Sequence, residues 1–98
     1  MPIWKQTALD DRKHIVDYIV ADNLMAGITL GDTLIEKAGQ LDAFPMLGRA
    51  GRVPNTRELV VHPNYILIYR VVDDMVEILR VKHAAQQWPQ GIKSRTLK

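Results

Sequence analysis

The residues best equipped for chemistry lie between positions 57 and 83. Transesterification at a phosphate through a neighbouring hydroxyl needs a base, a cation to hold the pentacovalent phosphorus, and an acid for the leaving oxygen. His83 and Glu58 have the chemistry of the base, Arg57 and Arg80 of the cations, and His62 and Tyr69 of the acid. Each also has a structural use. His83 can pack or hydrogen-bond at a strand end, and Arg57, Arg70 and Arg80 can be sheet-face arginines. Alternation along an extended chain points Arg57 and Glu58 to opposite faces, so they do not pair within a strand. Alternation also separates Arg80 from His83, and a site using both requires a bulge or twist at the strand end.

Charge directs attention to the same half of the chain. Residues 1–47 carry four Lys/Arg against seven Asp/Glu, whereas residues 48–98 carry nine against four. An anionic partner, whether nucleic acid or an acidic protein segment, is expected to meet the second half. Arg49 and Arg52 stand in a glycine- and proline-punctuated stretch at its start, and Trp88 stands near its end. Trp88 could stack on a base or bury against a sheet edge. The chain has no cysteine, which excludes disulfides, thiolate catalysis and cysteine-based zinc sites. His14, His62 and His83 show no ligand spacing, so neither a metal nor another cofactor is expected. The first residues do not read as a signal peptide, and no apolar run is long enough to span a bilayer. The expectation is a cytoplasmic protein with no membrane partner.

The elements that must position these residues follow from periodicity. A chain of 98 residues suggests one domain, taken as residues 1–90, followed by a flexible basic tail over residues 91–98. Residues 3–7 are a candidate strand. Residues 8–21 read as a helix through Ile15, Val16, Ile19 and Val20, with Thr7 as N-cap and Asp10 and Asp11 in the first turn. Residues 24–44 read as a second helix, with Ile28, Leu34, Ile35, Ala38 and Leu41 as its stripe and Pro45 as its stop. Gly27, Gly31 and Gly39 each weaken that helix by about 1 kcal/mol relative to alanine, and small residues there permit close packing of the two helices. Residues 46–55 are a loop.

The period then changes. Residues 56–62, 65–72 and 75–83 are rich in β-branched and aromatic side chains, separated by Pro63-Asn64 and Asp73-Asp74. They form an antiparallel meander, with the doubly apolar run 65–69 as its central strand. The expected fold is α+β, in the order β-α-α-β-β-β, a helical hairpin packed on one face of an antiparallel sheet.

The stretch Arg52-Val53-Pro54-Asn55-Thr56-Arg57-Glu58-Leu59-Val60-Val61 resembles the second strand of RelE/ParE toxins. His62-Pro63-Asn64-Tyr65-Ile66-Leu67-Ile68-Tyr69-Arg70-Val71 resembles the ParE branch more closely. The run from Ile78 to Pro89 is similar to the family ending. The resemblance covers about residues 3–89 and is specific over 52–89. It implies a toxin of a type II toxin–antitoxin system, held inactive by a cognate antitoxin. RelE-like members cleave mRNA on the ribosome; ParE-like members inhibit DNA gyrase. Some ribonuclease members place a histidine near His83, which on that reading joins Arg57 and Arg80 as catalytic. The nucleases also carry a lysine-rich patch before the sheet, and basic residues with an aromatic hydroxyl after the last strand. Here that exit reads Ala84-Ala85-Gln86-Gln87-Trp88, and alanine and glutamine neutralise no phosphate. The sequence therefore favours a gyrase inhibitor over a ribosome-dependent nuclease. Arg49, Arg52, Arg57, Tyr69, Arg80, His83 and Trp88 are its candidate target- or antitoxin-binding residues.

Overall fold

A computed structural model describes residues 1–85. The element order is β1 (Ile3–Trp4), α1 (Gln6–Asp22), α2 (Leu24–Gln40), β2 (Arg49–Ala50), β3 (Arg57–His62), β4 (Tyr65–Val72) and β5 (Met75–His83). The strands form one sheet in the order β1-β5-β4-β3-β2. The meander β3-β4-β5 is antiparallel, as its turns require. The sheet as a whole is mixed rather than antiparallel, because β1 runs parallel to β5, pairing Ile3 with Glu77 and Trp4 with Ile78. That pairing joins the first element to the last, beyond the reach of local pattern. The stretch expected as plain loop also contains β2, which pairs Arg49 with Glu58 and Ala50 with Arg57.

The two helices meet at Asn23, whose side chain accepts a hydrogen bond from the Ala26 N–H and so caps α2. Close packing of the hairpin rests on Gly27: a Cβ there would stand 2.9 Å from the backbone nitrogen of Val20. Gly39 meets nothing within 4 Å, so only one end of the glycine series is a packing requirement. The first helix starts earlier than its pattern suggests. Its N-cap is Lys5, without a side-chain cap, and its first turn holds no acidic residue. Thr7 lies inside the helix and donates its hydroxyl to the Leu79 carbonyl at 2.7 Å. The second helix stops at Gln40, ahead of Phe44 and Pro45.

The helices cover one face of the sheet. Ala8, Leu30, Leu34, Ala38 and Leu41 pack with Val61, Tyr65, Leu67, Tyr69, Val76, Ile78 and Val81 to form the core. A bulge in β5 shapes this face. Tyr69 is paired with Ile78 but Ile68 with Arg80, so Leu79 is the extra residue. The shift lets both Ile78 and Val81 turn toward the helices despite their odd spacing. Ile66 and Ile68, on the other parity of β4, are also buried, which fits the doubly apolar pattern of the central strand. At the β4–β5 turn both Asp73 and Asp74 take left-handed conformations, φ 50° and 64°, as a tight two-residue hairpin demands.

Candidate functional site

The sheet's register spreads the predicted site residues over different rows, and only Arg80 and His83 come to line a common hollow. Arg57, Tyr69 and Ile78 share one transverse row on the helix-facing side. Arg49, Glu58, Ile68 and Arg80 form the adjacent row on the opposite side. His83 pairs with Tyr65 at the far end of the sheet. From Arg57 to His83 the path is two strand spacings across and four residues along, a Cα separation of about 16 Å. The β5 bulge precedes Arg80, so regular alternation holds from there to His83 and the two leave opposite faces of the strand.

Each candidate is also committed locally. Arg57 donates Nη1 to the Gly48 carbonyl at 2.6 Å. Tyr69 is fully buried; its hydroxyl donates to the Pro45 carbonyl at 2.7 Å and accepts the Gly48 N–H at 2.9 Å. These two bonds tie the stretch before β2 to the central strand. The Tyr69 ring faces the helices in the core, which leaves no surface of it exposed to a partner in this structure. Gly48 is glycine because a Cβ would lie 2.7 Å from the Tyr69 ring. Glu58, a candidate base, is 2% exposed. One of its oxygens accepts from Arg49 Nη2 at 3.2 Å, and the other accepts the Arg52 N–H at 3.0 Å. Arg52 Nε lies 3.6 Å from the same carboxylate. These contacts clip the loop after β2 to the sheet while leaving both guanidinium groups partly exposed. His62 accepts the Asn64 N–H on Nδ1, which closes the β3–β4 turn. Trp88 and the tail lie outside the described residues.

Arg80 has the firmest partner. Its Nε and Nη2 donate to the two carboxylate oxygens of Asp11 at 2.7 and 3.1 Å, a bidentate pair joining β5 to α1. This hydrogen-bonded carboxylate raises the guanidinium's pKa above its usual value. Asp11 also accepts the Val81 N–H at 3.0 Å. Together with Lys5 N–H to Ile78 and Thr7 to Leu79, this bond satisfies the edge of β5 where β1 has already ended. Asp11 escaped sequence reasoning because nothing local links it to a residue 69 positions away.

Beside this pair lies a hollow of about 430 Å³ between α1 and the end of β5. His14 and Tyr18 line it from α1, with Tyr65 from β4 and Arg80, Lys82 and His83 from β5. Tyr65 sits between two imidazoles, its ring 5.6 Å from His62 and 5.2 Å edge-on from His83. Burial, followed by the neighbouring Tyr18, raises the Tyr65 phenol above its usual pKa. His83 accepts the Ala85 N–H on Nδ1. A neutral ring then carries its proton on Nε2, so that nitrogen donates rather than abstracts. Lys82 is 5% exposed, and burial, reinforced by the Arg80 guanidinium, lowers its pKa. Among the described residues, no group of three or more His, Asp or Glu is placed to hold a metal ion.

This two-helix, mixed-sheet α+β architecture is the fold of solved ParDE and RelBE structures. It is similar to the chromosomal ParDE toxin–antitoxin system from P. aeruginosa, with a TM-score of 0.74 and 24% identity over 85% of this chain and 95% of that one. It is also similar to the E. coli RelBE complex, with a TM-score of 0.64 and 18% identity over 88% and 98% of the two chains. Two curated relatives are similar in sequence. One is a putative toxin, Y4kP, from Sinorhizobium fredii, 41% identical over 89% of this chain and 91% of its own. The other is toxin RelE2 from Caulobacter vibrioides, 37% identical over 86% and 94%. Residues 3–88 match the family described as the ParE toxin of type II toxin–antitoxin system, parDE, and the chain belongs to that family.

Proposed function

We propose that this toxin acts by binding its target, in the manner of a ParE-like inhibitor of DNA gyrase, and that a cognate antitoxin neutralises it. The observation that carries the reading is that the would-be nuclease groups are engaged in local bonds, although Arg80 and His83 line one hollow. Arg80 is engaged by Asp11 and Arg57 by Gly48, while Glu58 and Tyr69 are buried in structural bonds. Arg57 and His83 lie two strands and four residues apart in the sheet, at opposite ends of the meander. Among the described residues no helix is long and apolar enough to cross a membrane.

The antitoxin surface follows from exposure and charge. Met25, Ile28 and Ile35 on α2 stand exposed, with Phe44, Met46 and Leu47 beyond the helix end. An antitoxin crossing this apolar stripe would continue onto the basic β2–β3 end, where Arg49 and Arg52 retain exposed surface. Arg49→Gln is expected to weaken co-purification with the antitoxin several-fold and to steepen its salt sensitivity; unchanged co-purification would remove Arg49 from the interface.

The competing reading is a ribosome-dependent mRNA endonuclease, favoured by the naming of the Caulobacter relative as RelE2. Supercoiling by purified gyrase and primer extension on translated mRNA separate the two. The proposed reading expects loss of supercoiling at excess toxin, its return on adding antitoxin, and intact mRNA. A His83→Ala toxin should be as potent as the parent; a protein that loses mRNA cleavage with that change alone would establish the nuclease.

A further inference from the structure

A second cleft lies where β3 begins and β4 ends, beside the loop that follows β2. Met46, Asn55, Arg57, Arg70 and Val71 are among the residues that enclose about 260 Å³ there. Its lining holds two guanidinium groups and no carboxylate. A guanidinium carries five N–H donors, and each of these two spends one within the chain. Arg57 donates Nη1 to the Gly48 carbonyl, and Arg70 donates Nε to Glu77 at 2.7 Å. The Arg70 side chain is still 45% exposed. One carboxylate, Glu77, thus stands against two guanidinium groups, and the donors they keep match a carboxylate fork. Asn55, held in the left-handed region at φ 67°, adds a side-chain amide to the lining. The rim is not only basic. Met46 forms one wall, and Phe44, Met46 and Leu47 stand exposed in the short run that leads to it. A nucleic-acid backbone makes no use of such a rim, whereas a peptide with an acidic residue beside an apolar one uses both. The volume suits the end of one side chain rather than a cofactor.

We propose that this cleft seats a carboxylate side chain, Asp or Glu, of the cognate antitoxin between Arg57 and Arg70. Charge and the adjoining apolar rim select the occupant, and the inference rests on the toxin–antitoxin reading. It gives a partner that crosses the exposed apolar residues of α2 and of residues 44–47 a fixed end point on the sheet. Arg70 and Asn55 are the residues that discriminate, since Arg57 also holds the Gly48 carbonyl.

The test is a double-mutant cycle with the antitoxin encoded beside the toxin gene, each of its Asp and Glu residues changed singly to the amide. Arg70→Gln removes a charge at an exposed position near the end of β4. It should weaken binding about tenfold at low salt. One antitoxin amide variant should weaken binding to wild-type toxin by a similar factor while costing the Arg70→Gln toxin less than twofold more. Asn55→Asp keeps a residue type that tolerates the left-handed backbone and brings a negative charge to the cleft. It should weaken binding at least fivefold, whether or not Arg70→Gln folds. The proposal is overturned if every amide variant costs wild-type and Arg70→Gln toxin the same factor, or if Asn55→Asp binds as wild type does. A duplex oligonucleotide that displaces the antitoxin in an Arg70-dependent way, with no antitoxin carboxylate coupled to Arg70, would reassign the cleft to a phosphodiester and equally overturn it. Complete absence of binding between wild-type toxin and antitoxin is a different result, for it removes the toxin–antitoxin pairing itself and this inference with it.

Discussion

Two carboxylates anchor opposite margins of the sheet, and they do different work with the same chemistry. Glu58 reaches residues six and nine positions away and ties a local loop to β3. Asp11 reaches Arg80 and Val81 across nearly the whole chain and ties the helical hairpin to the last strand. Glu58 is the more buried acid, but its arginine partners remain in contact with water, at 57% and 42% side-chain exposure. Asp11 and Arg80 are both better shielded, at 17% and 33%. Burial of the acid alone does not rank two ion pairs; what each bond holds in place does.

Substitutions that pull the two margins apart follow from this difference. Asp11→Ala should cost the most, about 2–3 kcal/mol, because it strands the Arg80 guanidinium and the Val81 N–H at a sheet edge. Urea denaturation should show one cooperative transition at a lower midpoint, and a loss below 0.5 kcal/mol would contradict the latch. Glu58→Gln should cost about 1–2 kcal/mol, since one oxygen can still accept the Arg52 N–H while the pairing with exposed arginines is screened in any case. Its signature should be local: hydrogen exchange should quicken over residues 49–56 and leave α1 protected. Equal quickening in α1 would erase the distinction drawn here. Tyr69→Phe loses the hydroxyl that joins Gly48 and Pro45 and should cost about 1 kcal/mol by the same measurement. The smallest effect is expected on the hairpin's outer end. Gly39→Ala should stabilise by about 0.5–1 kcal/mol through helix propensity, whereas Gly27→Ala should destabilise because the Val20 backbone must move. A like-signed pair would overturn the packing role given to Gly27.

The comparison also explains what could be read in the sequence. Both helices, all three long strands and the Asp73-Asp74 turn carry local signals: apolar spacing, β-branched runs and turn residues. The opposite facing of Arg57 and Glu58 followed from alternation alone, and the structure keeps them apart, each on its own partner. The parallel β1–β5 pairing and the Asp11–Arg80 bond join residues some 70 positions apart, and no window contains both partners. Thr7 and Asp11 were assigned to helix capping and dipole because those are the local uses of such residues; the edge of β5 claimed them instead. Tyr69 looked like a hydroxyl available for chemistry because sequence cannot say which parity of a doubly apolar strand faces the helices. His14, Tyr18 and Lys82 were overlooked for a similar reason, since the hollow they line exists only once α1 is laid across β5.

The most direct test of the central claim is a supercoiling assay with purified DNA gyrase and this toxin, run beside primer extension on ribosome-bound mRNA. Loss of supercoiling that is restored by the antitoxin, with mRNA left whole, is the predicted result. Unimpaired supercoiling at excess toxin, together with mRNA cleavage that depends on His83, would contradict it.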